Sequence, residues 1–455
     1  MKARFAINYG PKDWEILQQE NGVASFDVGG ECYLEAEKDC EAAQIEGYRV
    51  MARIVFEDTD EPVTEWIEAK HTEDKWNVHF EDVPAGGLYR LTAIIMTNSH
   101  SWIEWGMGGL LIHHFGVGDL YVITGQSNAA GIGKGVISEP AELGVHVLRN
   151  CEKWDLATNP LYEKRSYHGP AVSFGKKLKS KLHYPIGLIP CAYGGSSLAQ
   201  WLPDEDGLWF NYMIDVMKVN NIKIKGVLWS HGSTDANGNG AIGYKERFGK
   251  FVNAIRDYCK NDKLPIITYQ ANRWLDDVKE NEEKYDNGWD RLREEQRQAA
   301  REMSNVYIVP SIDAGKMTDG IHNSKASNIM LGERAAEKVL YEIYGIGMNP
   351  AAPDLECAKY VDDKTVELEF SNVADTLMTF HVFAKRLPVM INDDRGVVEI
   401  VDYKIDKNIL FLNLARETKG NAYVKCQYGR NPFGIIQDMG KQLPVLCFSN
   451  VLIKK

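Results

Sequence analysis

The sequence predicts an α/β protein in which a parallel-sheet core lies between two β domains. Residues 1–115 contain short alternating runs separated by polar and Gly/Pro turns, which is typical of β structure. From residue 116 to residue 347, apolar strands alternate with helical patterns, and this alternation predicts a parallel sheet covered by helices on both faces. The β pattern returns after residue 348. We therefore divide the chain into domains 1–115, 116–347 and 348–455.

The composition is that of a globular protein with enough apolar material for several cores. Of the 455 residues, 44% are hydrophobic and 25% are charged, and the net charge is −12. Nucleic-acid-binding proteins normally carry a basic face, so this charge argues against a nucleic-acid partner and against an anionic membrane surface. No segment approaches the ~20 uninterrupted apolar residues that span a bilayer. The oligomeric state leaves no readable signature in the sequence.

The first residues and the cysteines predict a cytoplasmic location. Charged residues are spread through positions 1–20, and no apolar run of signal-peptide length separates them. None of the eight cysteines forms a C-x-x-C pair with metal or redox spacing. We therefore expect reduced thiols, most of them packed in the interior.

The two flanking regions predict β domains, the first of them a small β-sandwich. Asn349–Pro353 has the composition of a helix-stopping linker and separates the core from the second of these domains. The clearest alternating strands are 48–56, 76–80 and 89–95 in the first region, and 365–370 and 409–414 in the last.

The core region predicts six strands and at least three helices. The strands are 120–124, 145–148, 186–189, 227–229, 266–269 and 307–309. One helical face is marked by Phe248, Phe251, Val252 and Ile255 at i, i+3, i+4 and i+7, and further helices are predicted near 289–303 and 324–343. Ligands of parallel α/β sheets bind at the carboxyl ends of the strands. Ser127 directly follows the first of these ends.

Ser127 is the candidate nucleophile, and Asp319 and His322 are its candidate partners. A serine attacks an ester once a base takes its proton. The three-residue spacing between Asp319 and His322 lets the carboxylate accept the Nδ1–H of the imidazole, which leaves Nε2 as a general base. Two plainer interpretations stay open at this point. Ser127 also fits an ordinary strand-to-loop turn, and His322 also fits a solvated helix start with Asp319 or Asn323 as the cap.

Two further strand ends carry small residues that suit an oxyanion site. Gly194 and Gly195 follow the strand 186–189, and a pair of glycines there can bring a backbone N–H close to a reacting carbonyl. The alternative is a flexible loop. The strand 227–229 leads into His231, Gly232 and Ser233, where His231 is a weaker rival for the role of base.

Four motifs at these strand ends resemble the sequence blocks of the SGNH hydrolases and, more narrowly, of the sialate O-acetylesterase-like carbohydrate esterases. They are Gly125-Gln-Ser-Asn128, Gly194-Gly-Ser196, Trp229-Ser-His-Gly-Ser-Thr-Asp235 and Asp319-Gly-Ile-His322. The resemblance covers most of the chain. It implies a flavodoxin-like three-layer core flanked by β-sandwich-like domains.

The same resemblance implies roles for individual residues. Ser127 is implied as nucleophile, His322 as base and Asp319 as the partner of His322. Oxyanion donors are implied at Ser127, at Gly194 or Gly195, and in the third block, where Ser233 is our candidate. In that block the family often has Gln-Gly-Glu-Ser-Asp, whereas this chain has His231 at the Gln position and Ser233 at the Glu position. Substrate choice is therefore expected to differ from the family norm.

The function expected from these residues is removal of O-acetyl groups from a carbohydrate, without a metal or other cofactor. Candidate substrate contacts are Gln126, Asn128, His231, Trp201 and Trp274, and the two tryptophans also fit core or rim positions. Arg273 is a weaker candidate for meeting a sialic acid carboxylate. Two alternatives remain, namely an esterase for small lipid esters and a non-catalytic glycan-binding relative.

Overall fold

A computed structural model describes residues 2–35, 48–97, 102–103, 109–162, 167–237, 239–276, 280–379 and 387–455. Cys40 lies outside these ranges, and the seven described cysteines are free thiols. No helix within these ranges is both long enough and apolar enough to cross a bilayer.

The N-terminal region consists of two β layers, which are antiparallel except where β2 pairs in parallel with β10. Its strands are β1 (Lys2–Tyr9), β2 (Ile16–Gln18), β3 (Val23–Glu35), β4 (Tyr48–Phe56), β5 (Ile67–Glu68), β6 (Lys70–Thr72), β7 (Lys75–Pro84), β8 (Gly86–Thr97), β9 (Trp102–Ile103) and β10 (Leu110–Gly125). One layer has the order β1-β3-β7-β6, and the other joins β4, β5, β8 and β9 to β10. Alternate residues of both layers, such as Val78 and Leu91, form one buried cluster, as expected for strands that present one face to a shared core.

Strand β10 runs without interruption from the N-terminal region into the core. Its first half pairs with β8 in antiparallel register, and residues 119–125 pair in parallel with the core strands. A Cβ on Gly118 would lie 1.9 Å from the carbonyl oxygen of Pro185, so glycine permits the close approach at the crossing point. The predicted boundary at residue 115 therefore falls inside a continuous strand rather than in a linker.

The core sheet continues from β10 in both directions. Its other strands are β11 (Val145–Arg149), β12 (Lys153–Leu156), β13 (Ile186–Pro190), β14 (Gly226–Ser230), β15 (Ile266–Tyr269) and β16 (Val306–Val309). The spatial order is β12-β11-β13-β10-β14-β15-β16, and every pair except β11–β12 is parallel. Without the edge pair β11–β12, this is the 2-1-3-4-5 order of the flavodoxin-like folds. The chain diverges to either side of β10, so the switch point lies at its carboxyl end.

Helices cover both faces of the core sheet. They are α1 (Ser127–Ala130), α2 (Ala171–Leu182), α3 (Leu208–Val219), α4 (Ser233–Ala236), α5 (Tyr244–Cys259), α6 (Glu282–Glu302) and α7 (Lys325–Tyr344). The face of α5 that carries Phe248 and Phe251 is buried, as its periodicity predicts, in a cluster with α3 and α6. Helices α2 and α7 bury the opposite face of the sheet. The three layers predicted for the core are therefore present.

The C-terminal region is built from three small antiparallel sheets around one buried cluster. Its strands are β17 (Asp354–Asp362), β18 (Thr365–Ser371), β19 (Leu377–Thr379), β20 (Val389–Asp393), β21 (Gly396–Val398), β22 (Ile400–Asp406), β23 (Ile409–Leu414), β24 (Tyr423–Cys426), β25 (Ile436–Asp438), β26 (Leu443–Pro444) and β27 (Phe448–Leu452). The sheet orders are β17-β18-β23-β22, β19-β25-β26 and β21-β20-β24-β27.

Arginines of α6 attach the C-terminal region to the core. Arg297 and Arg301 donate to the two carboxylate oxygens of Asp354 at 2.8 and 2.7 Å. Arg293 is fully buried, and its guanidinium donates to the backbone carbonyls of both the β15–α6 loop and the segment around Gly429. A buried guanidinium is stable only when its donors are satisfied, so these contacts hold the two regions in a fixed relation.

Candidate active site

The nucleophile candidate stands at the tight turn between β10 and α1. Gly125 has φ +112°, and a Cβ there would lie 2.3 Å from the carbonyl oxygen of Ser230, so the turn requires glycine. The backbone N–H of Gln126 donates to that same oxygen at 2.8 Å. Ser127 follows as the first residue of α1 and remains partly exposed. The turn therefore presents Ser127 at the carboxyl edge of the sheet.

Asp319 and His322 form the contact that their spacing predicts. The Nδ1 atom of His322 lies 2.8 Å from Oδ2 of Asp319. Partial burial acts to raise the pKa of Asp319, but hydrogen bonds from the N–H groups of His322 and Ile321 and from the imidazole outweigh it, so the pKa is lowered. An ionised Asp319 accepts the Nδ1–H, which leaves Nε2 of His322 free to take a proton. The loop is thus arranged to supply a base.

One hydrogen bond joins the base loop to the nucleophile helix. The backbone N–H of Asn323 donates to Oδ1 of Asn128 at 3.0 Å. The residues that follow His322 and Ser127 in the chain are therefore in direct contact. Asn128 was a candidate substrate contact, but its Oδ1 is used within the protein. Its evident role is to hold the two loops together.

Lys316 contacts the base loop, although no sequence motif marks it. Its side-chain nitrogen donates to the carbonyl of Ile321 at 2.7 Å and to Oδ1 of Asn323 at 3.0 Å. Burial, with a contribution from nearby arginines, lowers the pKa of Lys316 to about 7. These two hydrogen bonds hold the residues on either side of His322.

The glycine loop after β13 lies against the nucleophile. A Cβ built on Gly194 would be 3.8 Å from Cβ of Ser127, and both Gly194 and Gly195 are exposed. The loop is held at its base, because the N–H of Tyr193 donates to the carbonyl of Gly125 at 2.9 Å. The predicted oxyanion candidates Gly194 and Gly195 thus lie in a loop that adjoins Ser127.

His231 is a structural residue rather than a base or a substrate contact. Its side chain is fully buried, with Nε2 3.0 Å from the carbonyl of Ser196 and Nδ1 3.1 Å from the hydroxyl of Tyr244. The carbonyl can only accept, so Nε2 carries the proton and Nδ1 accepts from Tyr244. Burial lowers the pKa of His231 and keeps it neutral. The expectation that His231 contacts substrate is therefore wrong, because no part of its ring is accessible.

Other polar groups of the third block also support the glycine loop and the nucleophile turn. The carboxylate of Asp235 accepts from the N–H of Leu198. Gln126 is buried, and its Oε1 accepts from the N–H of Gly232 at 2.7 Å, so this oxygen is used within the protein, and the substrate contact at Gln126 stays a prediction. Ser233, the oxyanion candidate in this block, is partly exposed as the first residue of α4.

The two tryptophans proposed to stack on a sugar have different surroundings. Trp201 is 0% exposed and donates from Nε1 to Oγ of Ser196, so it is a core residue and cannot meet a substrate. Trp274 is partly buried against the core cluster, and its Nε1 donates to Asp276 at 2.7 Å. Arg273 directs Nε to the carbonyl of Ile312 at 2.8 Å.

Comparisons with known proteins indicate an esterase. Residues 117–341 match the family model described as carbohydrate esterase, sialic acid-specific acetylesterase. This range contains Ser127, the glycine loop and the loop of Asp319 and His322. The protein is therefore a hydrolase that acts on carboxylic esters.

Individual relatives of this esterase are distant in sequence. A probable carbohydrate esterase from Arabidopsis thaliana is 24% identical over 252 residues, which are 49% of this chain and 90% of the relative. A crystal structure of a carbohydrate acetylesterase from Xanthomonas citri superposes with a TM-score of 0.67 at 19% identity, and covers 97% of this chain and 98% of its own. The latter likeness shows that the fold of this esterase is shared along nearly the whole chain.

Proposed function

We propose that this esterase removes O-acetyl groups from a carbohydrate, with Ser127 as nucleophile, His322 as general base and Asp319 as the partner of His322. The hydrogen bond between Asn323 N–H and Asn128 Oδ1 is the observation that carries the proposal. It places the residues next to the base and the nucleophile in contact, although 195 positions separate them in the chain. This contact supports the proposal, because a nucleophilic serine and its base must lie close together.

In the proposed reaction, Nε2 of His322 takes the proton of the Ser127 hydroxyl while Oγ attacks the acetyl carbonyl carbon. The carbonyl oxygen becomes an oxyanion, for which backbone N–H groups of Ser127 and of Gly194 or Gly195 are the donors, together with Ser233. The C–O bond to the sugar then breaks, and the sugar oxygen leaves with the proton from His322. Water, deprotonated by His322, then attacks the acetyl carbon. The bond from this carbon to Oγ of Ser127 breaks, Oγ regains the proton from His322, and acetate leaves.

The role of Asp319 follows from its electrostatics. Its lowered pKa keeps the carboxylate ionised, so it stabilises the imidazolium that forms when His322 holds the proton. Asp319 also fixes the tautomer of His322, because the Nδ1 atom that faces this carboxylate must carry the proton in order to donate to it. Each preorganised oxyanion donor contributes on the order of 10²–10³ in rate in comparable enzymes.

The small-lipid alternative predicts an exposed apolar acyl channel beside Ser127. The cavity lined by Gln126 and Asn128 measures about 20 Å³, includes polar side chains such as Asn272 and Asn323, and does not have Ser127 among its lining residues. Rates on acetate esters compared with rates on longer acyl esters therefore separate the two activities. A non-catalytic glycan-binding protein and a carbohydrate esterase both bind sugar. Only the release of acetate distinguishes the two.

The test is acetate release from a panel of defined acetylated oligosaccharides and from a chromogenic acetate ester. Wild type should release acetate, and Ser127→Ala should lose at least about 10³-fold in kcat. Ser180→Ala, at an exposed position on α2, is the matched control and should behave as wild type. Sugar binding without acetate release by wild type would establish the non-catalytic alternative instead.

A further inference from the structure

A cluster of exposed aromatic side chains adjoins the glycine loop, and the proposed mechanism does not use it. Tyr193 directly precedes Gly194 and is 48% exposed. Its ring stacks on that of Trp209 with centroids 3.5 Å apart and an angle of 17° between the planes. Tyr212, 39% exposed, meets Trp209 edge-on at 6.0 Å. We call Tyr193, Trp209 and Tyr212 the aromatic platform.

The platform is fixed relative to the candidate nucleophile. The N–H of Tyr193 donates to the carbonyl of Gly125, two residues before Ser127, and the Tyr193 carbonyl accepts from Oγ of Ser196 at 2.9 Å. Trp209 and Tyr212 belong to α3, whose Phe210 and Met213 are anchored in the core. The hydroxyl of Tyr212 lies 3.0 Å from Sγ of Cys151. Tyr193 therefore cannot move far from the reacting centre without breaking these contacts.

The exposed surface of the aromatic platform indicates a binding site. Trp209 supports one face of the Tyr193 ring, and the remaining exposed surface of Tyr193 is open to solvent. Neighbouring Leu208 is 50% exposed as well, so apolar surface is contiguous here. Contiguous exposed apolar surface beside a reaction centre is typical of a binding site. These side chains are aromatic and aliphatic, which suits an uncharged ligand.

A pyranose ring has the chemistry that fits this surface. Its axial C–H groups form an apolar, slightly positive face, and an aromatic ring presents a negative face to it. Its hydroxyl groups remain directed to solvent or to the tyrosine hydroxyl. We propose that the aromatic platform is a sugar-binding subsite in which Tyr193, supported by Trp209, stacks on an uncharged pyranose ring of the acetylated substrate.

This inference rests on the proposed function, and the experiment separates the two. Kinetic constants are measured for an acetylated xylo-oligosaccharide and for p-nitrophenyl acetate, which has no sugar. Tyr193→Ala should raise KM for the oligosaccharide about 10-fold, the factor that corresponds to one modest stacking contact. The constants for p-nitrophenyl acetate should stay within about twofold, because the backbone of Tyr193 still holds the glycine loop. Tyr193→Phe should retain the wild-type KM, since it keeps the ring.

Tyr258, 37% exposed near the end of α5, supplies the matched control, and Tyr258→Ala should leave both substrates unaffected. An unchanged oligosaccharide KM in Tyr193→Ala would overturn the subsite while the proposed function stands. Equal losses on both substrates would also overturn it, because they would assign Tyr193 to positioning the glycine loop. Failure of wild type to release acetate from any acetylated sugar would overturn the proposed function and the subsite together.

Discussion

The backbone N–H of Asn323 donates to the side-chain oxygen of Asn128 at 3.0 Å. This contact joins the loop of His322 to the short helix that Ser127 begins. We expect Asn128→Ala to lower kcat by about 10- to 100-fold with little change in KM, because it loosens the position of the base without removing any reacting group. Steady-state kinetics with an acetate ester measure this. Asn128→Asp keeps the acceptor and should lose less, and equal losses in the two variants would contradict the account.

His231 supports the glycine loop through the carbonyl of Ser196. We expect His231→Leu to lower the free energy of unfolding by about 1–3 kcal/mol, because it leaves that buried carbonyl without its donor and the Tyr244 hydroxyl without its acceptor, although this hydroxyl still accepts from Nε1 of Trp229. Urea unfolding measures this. The same variant should reduce kcat moderately, through displacement of Gly194 and Gly195. A loss in kcat comparable with that of Ser127→Ala, at unchanged stability, would instead place His231 in the chemistry.

The lowered pKa of Asp319 has a defined effect on stability. A carboxyl whose folded-state pKa is depressed stabilises the protein above its unfolded value, and this contribution disappears as the pH falls through the folded-state pKa. The stability difference between wild type and Asp319→Asn should therefore be constant above about pH 5 and shrink below about pH 4. Urea unfolding at several pH values measures it, and a difference independent of pH would contradict the assignment.

The same substitution should also reduce kcat by about 10³–10⁴-fold, because an amide no longer enforces the tautomer of His322. Steady-state rates of acetate release at neutral pH test this effect. Near-wild-type rates in Asp319→Asn would show that Asp319 does not act on the base.

Lys316 predicts a rise in stability with pH as well, but in a higher pH range than Asp319. Its folded-state pKa is lowered to about 7, whereas the unfolded lysine titrates near 10.4. Between these values the unfolded chain binds more protons, so this group makes the free energy of unfolding rise with pH, by less than about 1.4 kcal/mol per unit. Lys316→Met should lack that rise. Urea unfolding at pH 7, 8 and 9 compares the slopes, and parallel slopes would show that burial does not lower the pKa of Lys316.

The C-terminal region is expected to stabilise the base loop through Arg293. The Arg430 carbonyl accepts from Trp274 N–H at 2.9 Å, and the next N–H, of Leu275, donates to Gly320 at 2.9 Å within the base loop. Arg293 binds the carbonyls on both sides of this junction. Arg293→Ala should destabilise the protein by about 3–5 kcal/mol and lower kcat.

Arg291 is exposed on the same helix and provides the control, since Arg291→Ala should change neither stability nor activity. Thermal unfolding and steady-state rates test the pair. An Arg293→Ala variant that is destabilised but retains full kcat would show that the interface does not reach the base loop.

The sequence predicted correctly those strands and helices in which buried apolar residues recur at a regular spacing. Strands 48–56, 266–269 and 409–414 have the predicted bounds, and Phe248 and Phe251 lie on the predicted buried face. Helices α2 and α3 were missed. Helix α2 contains Gly175, which packs against Val145 at a distance that a larger residue would not allow, so local propensity obscures it. The continuity of β10 was missed because its first half pairs with β8 of the N-terminal region and its second half with the core strands β13 and β14.

In the candidate site, too, contacts between residues close in the chain could be predicted, whereas contacts between distant residues could not. The contact between Asp319 and His322 was predicted from their three-residue spacing and is confirmed. The catalytic roles of Ser127, Asp319 and His322 stay predictions. The roles of Gln126 and His231 depend on partners more than 30 residues away, and no local pattern reveals which side chains face inward. Trp201 illustrates this, since a tryptophan beside the glycine loop is equally compatible with a sugar contact and with the core that it occupies. Tyr193 is adjacent to Gly194 and exposed, but only tryptophans were predicted from the sequence as aromatic contacts for a sugar.

Labelling with a fluorophosphonate tests the pairing of Ser127 with His322 most directly, because this reagent reacts with a serine only when a base and oxyanion donors act on it. Peptide mapping by mass spectrometry identifies the labelled residue in wild type and in His322→Asn. We predict a single adduct on Ser127, formed at least about 10²-fold more slowly in His322→Asn. Labelling of another residue, or equal rates in the two proteins, would contradict the pairing of Ser127 with His322.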